Sequence, residues 1–435
     1  MTMAEYGRRR RALLKAIGAD GLAILPAAHE AIRNRDVHYP FRQASDFTYL
    51  TGFPEPEALA VFAPGRKEGE FILFCRPRDP EREQWDGYRA GVEGATATFK
   101  ADEAHPLAEL DALMPGLIDG RARLLFPIGA DAAFDARVFG WVNQVRANVR
   151  KGALPPETFV TIEALLHEQR LRKGEPEVKL MRRAARISAA GHRGLMRLCH
   201  PGRNESELET EFLRHCAAAG ARFQAYPPIV AGGARACVLH YVDNCATLKD
   251  GDLVLVDAGC ELHGYASDIT RTFPVNGRFS PPQRELYDLV LAAQLAAIAK
   301  ARPGNRWIEP HEAALKVLTK GLVRLGILEG KKTAKLIKDE AYKPYYMHRT
   351  GHWLGMDVHD VGHYKERGEW RRLEPGMVLT VEPGLYMPAT EAVPVPYQGI
   401  GIRIEDDVLI TPDGNEVLSA AAPKDPEAIE ALMAG

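Results

Sequence analysis

The sequence predicts a mixed α/β protein of two domains, with the chemistry in the second. At 435 residues the chain is too long for one ordinary hydrophobic core. Between residues 20 and 165, short apolar strand-like runs alternate with helical or polar segments. After residue 174, long amphipathic helical patterns are followed by strand-like runs that contain acidic residues. We therefore expect domains at 1–170 and 171–435.

Composition indicates an ordinary globular protein without a charge bias. Apolar residues make up 46% of the chain, and 56 basic against 58 acidic side chains give a net charge of -2. This balance favours neither nucleic acid nor a membrane surface as a partner. No apolar run reaches the length of a membrane span, about 18 residues. The six cysteines form no C-x-x-C pair, which indicates reduced thiols and a cytoplasmic location.

The helices of the second domain are predicted from apolar periodicity and from cap residues. Asn204 is a good N-cap, and Pro176 fits the first turn of a helix. Short strands are expected near 229–230 and 237–239, before a central hairpin. The predicted helices cover 175–199, 205–219, 283–301 and 310–325.

The central hairpin consists of two strand-like runs that each contain an aspartate. Val, Ile, Thr and Tyr enrichment supports strands over 253–259 and 265–272, which contain Asp257 and Asp268. If the turn is symmetric about 262–263, the aspartates are cross-strand partners with Cβ atoms roughly 5 Å apart. Two carboxylates at this short distance either share a proton or are bridged by a cation.

Three later strand-like segments, at 348–353, 379–384 and 401–406, add a histidine and two glutamates. Four carboxylates would balance two divalent cations, and one nitrogen among many oxygens favours Mn²⁺, Fe²⁺ or Co²⁺, with Zn²⁺ as an alternative. Two such ions activate a bridging water for hydrolysis. Spacing alone leaves this site and a shared proton both open, because no H-E-x-x-H pattern is present. The residues concerned are Asp257, Asp268, His352, Glu382 and Glu405.

These motifs resemble the aminopeptidase P group of the creatinase and methionine aminopeptidase superfamily, the pita-bread metallopeptidases. The resemblance implies a creatinase-type N-terminal α/β domain followed by a C-terminal pita-bread metallopeptidase domain of two related αβ halves. It extends over most of the chain. The matching segments are Phe41–Phe47, Val238–Tyr241, Asp252–Cys260, Ser267–Pro274, His352–Gly355, Val358–Gly362, Thr380–Gly384 and Gly401–Asp406.

The resemblance also implies a role for each site residue. Asp268 and Glu405 would bridge two Mn-type ions, and Asp257, His352 and Glu382 would complete the ligand set. Residues 349–351, between His348 and His352, replace the small residues that are usual there. This difference leaves the shape of the pocket open.

Further roles follow from the same resemblance. His240 and His359 would line the substrate pocket, and His348 would help to hold the site. Glu382 would act as the proton shuttle, and Arg403 would orient a metal-bound carboxylate.

The implied activity is metal-dependent release of the first residue from peptides with proline in the second position, through a hydroxide between two metal ions. The X-Pro amide has no N–H, so a site must grip the free amine and the ring. Alternatives are a prolidase that cleaves only dipeptides and a non-catalytic pita-bread binding protein, and an organophosphate hydrolase side activity is left open. The resemblance further implies a dimer or tetramer, in which Trp85 would cap a neighbour's pocket.

Overall fold

Two units make up the chain, Met1–Gln169 and Arg170–Gly435. The computed structural model describes residues 1–330 and 332–435. Both units mix helices with strands, which confirms the predicted α/β class. Among the described helices, none combines the length and the apolar character that a membrane crossing needs.

The first unit contains one six-stranded sheet with helices packed against it. Its helices are α1 (Met3–Ile17), α2 (Ser45–Thr51), α3 (Pro80–Asp86), α4 (Gly91–Ala97), α5 (Leu110–Ile118), α6 (Ala132–Ala147) and α7 (Glu163–Leu171), which spans the boundary. Its strands are β1 (Gly21–Pro26), β2 (Ile32–Asn34), β3 (Val37–His38), β4 (Leu59–Phe62), β5 (Phe71–Cys75), β6 (Glu103–Pro106), β7 (Arg123–Phe126) and β8 (Thr158–Thr161).

The sheet of the first unit runs in the order β6-β5-β4-β1-β7-β8. Its centre is apolar on both faces: β1, β4 and β5 are buried almost throughout. Helices α5 and α6 cover one face with Met114, Val138 and Trp141. Continuous burial on both faces explains why these strands read as unbroken apolar runs.

The second unit is larger and contains several short antiparallel sheets. Its helices are α8 (Glu175–Leu198), α9 (Glu205–Ala218), α10 (Pro281–Ile298), α11 (Ile308–Arg324), α12 (Thr333–Lys338) and α13 (Pro426–Ala434). Its strands are β9 (Phe223–Gln224), β10 (Ile229–Gly232), β11 (Leu253–Asp257), β12 (Cys260–Leu262), β13 (Tyr265–Ala266), β14 (Thr270–Pro274), β15 (Lys365–Glu366), β16 (Glu369–Trp370), β17 (Val378–Val381), β18 (Gly384–Tyr386), β19 (Gly401–Arg403), β20 (Asp406–Thr411) and β21 (Gly414–Val417).

Each half of the second unit places two packed helices before an antiparallel sheet. Helices α8 and α9 precede the sheet β10-β11-β14, and α10 and α11 precede the sheet β17-β20-β21. The four long helices lie where the sequence predicts them, within a few residues at each end. The Asn204 side chain caps α9 by accepting from the Ser206 N–H at 3.0 Å, as expected.

The register of the central hairpin differs from the predicted one. His263 and Gly264 both have positive φ, 51° and 81°, so they form the two-residue turn and Leu262 pairs with Tyr265. Asp257 consequently lies opposite Thr270 and not opposite Asp268. The prediction of a direct cross-strand aspartate pair is therefore wrong, because it centred the turn one residue too early.

The predicted strand near 237–239 is also wrong. A 3₁₀ helix occupies Gly233–Cys237, and Val238 continues as a loop. Leu239 lines a cavity and Val238 is exposed, so this apolar run does not pair with a neighbouring strand.

Candidate active site

All the site residues proposed from the sequence line one cavity of about 590 Å³ in the second unit. They come from five separate segments, each at a strand end or in a loop beside a strand. The five candidate metal ligands and the four other candidate residues that line the cavity are Asp257, Asp268, His352, Glu382, Glu405, His240, His348, His359 and Arg403.

Asp257 is the last residue of β11 and is held from two sides. The Arg403 Nη2 donates to Asp257 Oδ2 at 2.6 Å, and the Tyr226 hydroxyl donates to Oδ1 at 2.6 Å. Arg403 also donates to the Tyr386 hydroxyl at 3.0 Å and to Thr270 Oγ1 at 3.2 Å. Three partners fix this buried guanidinium against the carboxylate.

Asp268 lies in the irregular link between β13 and β14, opposite Gly259. A Cβ atom on Gly259 would lie 1.8 Å from the Ser267 carbonyl oxygen, so only glycine permits this approach. The Asp268 N–H donates to both carboxylate oxygens of Asp407 at 3.1 and 3.2 Å. Asp268 Oδ1 lies 2.5 Å from the Tyr226 hydroxyl oxygen, so the two aspartates share its single proton. The two aspartates are thus diagonal neighbours, and both contact the Tyr226 hydroxyl.

His352, Glu382 and Glu405 complete the acidic cluster. His352 Nε2 lies 3.4 Å from Asp268 Oδ2 and 3.7 Å from Glu382 Oε1. One ligand atom each of Asp268, His352 and Glu405 lies within 4.8 Å of the others, a spacing that suits a metal ion. Thr270 Oγ1 donates to Glu405 Oε2 at 2.5 Å.

Burial in this cluster disfavours the charged form of the carboxylates. Burial raises the pKa of Glu382 to about 7. Burial, reinforced by neighbouring acidic charges, also raises the pKa of Asp268 and places that of Glu405 well above its ordinary value. Carboxylates in such numbers are satisfied only by protons or by cations.

Without a metal ion, the neighbouring carboxylates favour the charged form of His352. Burial opposes its charge, but the hydrogen bond to Asp268 and the charge of Glu382 outweigh burial and raise its pKa to about 9. The His352 Nδ1 is turned to the Trp353 carbonyl oxygen at 2.9 Å, which leaves Nε2 facing the acids. This orientation is typical of a metal-ligating imidazole, so the donor set fits divalent cations.

Three further histidines line the same cavity. His348 Nε2 lies 2.8 Å from the Tyr386 hydroxyl, and His348 Nδ1 lies 2.7 Å from the Arg349 carbonyl oxygen. The His359 ring packs edge-to-face on His352 with centroids 4.3 Å apart. His240 stands in the wall beside apolar residues. The pocket thus joins polar donors to an apolar surface.

Sequence reasoning missed Tyr226, Thr270, Tyr386 and Asp407 as parts of the site. Asp407 could have been predicted from the sequence, because it directly follows the acidic segment Gly401–Asp406. Tyr226 and Tyr386 act through hydroxyl groups whose partners lie from 17 to 42 residues away in the chain. No local pattern reports such contacts.

Family models match both parts of the chain. The model for metallopeptidase family M24 matches residues 179–412. The model for the aminopeptidase P N-terminal domain matches residues 6–126. Both matches agree with the architecture implied by the sequence motifs.

Individual relatives cover nearly the whole chain. A Xaa-Pro aminopeptidase of Escherichia coli is 44% identical over 434 residues, which is 99% of this chain and 97% of the relative. The solved structure of an aminopeptidase from Pseudomonas aeruginosa superposes with a TM-score of 0.98 at 55% identity, covering 100% of this chain and 98% of that one. A proline aminopeptidase P from Yersinia pestis gives a TM-score of 0.96 at 47% identity, with 100% of both chains covered.

Proposed function

The chain belongs to metallopeptidase family M24 and carries an aminopeptidase P N-terminal domain, and on that premise we propose that it is a metal-dependent aminopeptidase that removes the first residue from peptides with proline in the second position. The convergence of four carboxylates and one imidazole on a single cavity supports this proposal most strongly. Residues 1–170 form the creatinase-like N-terminal domain in this proposal, and residues 171–435 form the catalytic domain.

The proposed metal centre holds two divalent ions, with Mn²⁺ as the native metal and Co²⁺, Fe²⁺ or Zn²⁺ as alternatives. Oxygen-rich ligation with one imidazole supports that choice. When bound, such ions activate a water and polarise a carbonyl. Of the proposed ligands, Asp268 and Glu405 would be shared by the two ions. The proposed ligands are Asp257, Asp268, His352, Glu382 and Glu405.

Substrate binding is assigned to the polar and apolar walls of the cavity. Asp257 accepts a hydrogen bond from the free α-amine, and the wall formed by Pro227, Ile229 and Leu239 packs on the proline ring. Burial lowers the pKa of His359 and so favours the neutral ring, which donates through one nitrogen. His240 and His359 donate to the scissile carbonyl oxygen, where negative charge develops.

Proton movement is assigned to Glu382. In the metal-free site burial raises its pKa to about 7, so this carboxylate is able to take up a proton near neutral pH. Its carboxylate accepts a proton from the attacking water and delivers it to the departing proline nitrogen. His348 supports this wall, since its Nδ1 lies 3.8 Å from Glu382 Oε2. Arg403 holds Asp257 in position and does not touch the reacting atoms.

The proposed biological setting is a cytoplasmic homo-oligomer, a dimer or a tetramer, that acts on peptides and binds neither nucleic acid nor membrane. Trp85 is 86% exposed and its neighbour Tyr88 is 92% exposed. Large exposed aromatic groups on a short segment support a contact with a second copy. In this proposal Trp85 caps the pocket of a neighbouring subunit.

A metal titration combined with a peptide panel tests the proposed function. Chelator-treated protein should be inactive on Ala-Pro-Leu and regain activity with Mn²⁺. A Xaa-Pro aminopeptidase should cleave both Ala-Pro and longer Xaa-Pro peptides, whereas a prolidase should cleave the dipeptide alone. Undiminished activity after complete metal removal would overturn the metal assignment. No cleavage of any Xaa-Pro peptide by the metal-loaded protein would overturn the activity.

A further inference from the structure

A second cavity of about 490 Å³ borders the catalytic one. Arg349 and Gly351 line both cavities, so the two share one wall. Trp307, Tyr364 and Trp370 supply aromatic side chains to the second cavity, which we call the aromatic cavity. The shared residues place the aromatic cavity directly beside the catalytic cavity.

The charged side chains that line the aromatic cavity are cationic. Arg349 and Lys365 contribute two cations, and none of the described residues that line it is acidic. The catalytic cavity instead contains four carboxylates. Two bound divalent ions would balance those carboxylates, so the cations of the aromatic cavity are the groups that attract the negative end of a ligand.

The two cations converge on one indole ring. Lys365 Nζ lies 4.6 Å from the Trp370 ring centroid, and Arg349 Cζ lies 6.0 Å from it. Both cationic side chains belong to exposed residues. The ring attracts each cation, but the cations repel each other, and an anion beside them would relieve that repulsion. This arrangement favours a ligand with a carboxylate next to an apolar or aromatic group.

We propose that the aromatic cavity binds the carboxylate end of a tripeptide substrate, with Arg349 and Lys365 paired to the carboxylate and the third side chain packed on Trp370. This inference rests on the proposed function. An extended peptide advances about 3.3 to 3.6 Å per residue, so in this proposal the residue after proline reaches the wall that the two cavities share. Arg349 is then a specificity-determining residue for substrates of three residues.

The test compares Ala-Pro-Leu with its C-terminal amide in the Mn²⁺-loaded protein. The native protein should show a kcat/KM about fivefold higher for the free acid, the scale expected for partly exposed charge pairs. The Arg349→Gln, Lys365→Gln double variant should bring the acid-to-amide ratio to about one, through KM and not kcat. Arg349→Lys should retain part of the preference. The variant Arg367→Gln, on the same β15–β16 hairpin but outside the cavity wall, is the matched control and should keep the native ratio.

Product binding provides a readout that does not depend on turnover. Calorimetry should show Pro-Leu binding more tightly than Pro-Leu amide to the native protein, and equally to the double variant. An unchanged acid-to-amide ratio in the double variant, in either assay, would overturn the inference and leave the proposed activity intact. Failure of the native protein to cleave any Xaa-Pro peptide would count against the proposed function, and the calorimetric ratio would still decide the carboxylate site.

Discussion

Arg403 and Asp257 form a buried ion pair at the base of the catalytic cavity, with Nη2 and Oδ2 2.6 Å apart. Removal of one partner from a buried pair leaves an uncompensated charge, which costs about 3 to 5 kcal/mol. Arg403→Gln should therefore lower the free energy of unfolding of the metal-free protein by about 3 kcal/mol. Bound metal supplies positive charge near Asp257, so the loss should be smaller in the Mn²⁺-loaded protein.

Urea unfolding with and without Mn²⁺ measures this difference. The exposed residue Arg367 provides the control, since Arg367→Gln should change stability little in either state. Equal losses for Arg403→Gln in both states would show that the pair does not compensate for the absent metal charge.

Two conservative substitutions should separate metal binding from proton transfer. Asp268→Asn removes a proposed bridging carboxylate, and we expect metal content and activity to fall together. Glu382→Gln keeps an oxygen donor but cannot carry a proton, so kcat should fall about 10²- to 10⁴-fold with a smaller loss of metal. Metal analysis of the dialysed variants beside their kcat values provides the measurement. Full turnover by Asp268→Asn at native metal content would refute its assignment.

The backbone at Gly259 should be essential for the position of Asp268. Gly259→Ala would place a Cβ atom 1.8 Å from the Ser267 carbonyl oxygen, so the link that carries Asp268 must move. We expect a loss of about 2 kcal/mol or more and weaker metal binding. A Cβ atom on Gly140, within α6, would meet open space among the described residues, so Gly140→Ala should be neutral or slightly stabilising. Similar behaviour of the two variants in thermal unfolding would contradict this view.

Stability should depend on pH in opposite ways with and without metal. Burial raises the pKa of Asp268, Glu405 and Glu382, the last to about 7. The stability that these groups contribute to the metal-free protein is present below the ordinary carboxyl pKa, about 4.3. It is lost as pH rises through the folded values. Metal replaces the protons and binds more tightly as pH rises.

The difference in Tm between Mn²⁺-loaded and metal-free protein should consequently widen from pH 5 to pH 8. Thermal unfolding at several pH values checks this expectation. In Asp268→Asn the difference should be small throughout. A difference that narrows as pH rises would show that the carboxylates are not the groups linked to metal binding.

Much of the second unit was predictable because its signals are local. Asn204 caps α9, and Pro176 lies in the first turn of α8, which begins at the predicted residue 175. The hairpin register was not predictable from strand patterns alone, because it depends on the left-handed conformation of His263 and Gly264. An error of one residue in the turn changes every cross-strand pair.

The residues of the site were only partly predictable, because some of them contact partners that lie far away along the chain. Acidic residues at strand ends pointed to the ligand candidates, because polar groups that interrupt apolar runs are conspicuous. Tyr226 was not predicted as a site residue, although its hydroxyl contacts both Asp257 and Asp268. A tyrosine among apolar residues predicts burial, but its hydrogen-bond partners depend on tertiary packing.

In the proposed metal centre, five groups of the second unit hold two divalent ions. Anomalous scattering from a crystal of the protein soaked in Mn²⁺ shows whether they do. We predict two anomalous peaks about 3.5 to 4 Å apart within reach of Asp257, Asp268, His352, Glu382 and Glu405. A map without peaks among these side chains, from crystals of protein that is active with Mn²⁺, would contradict it.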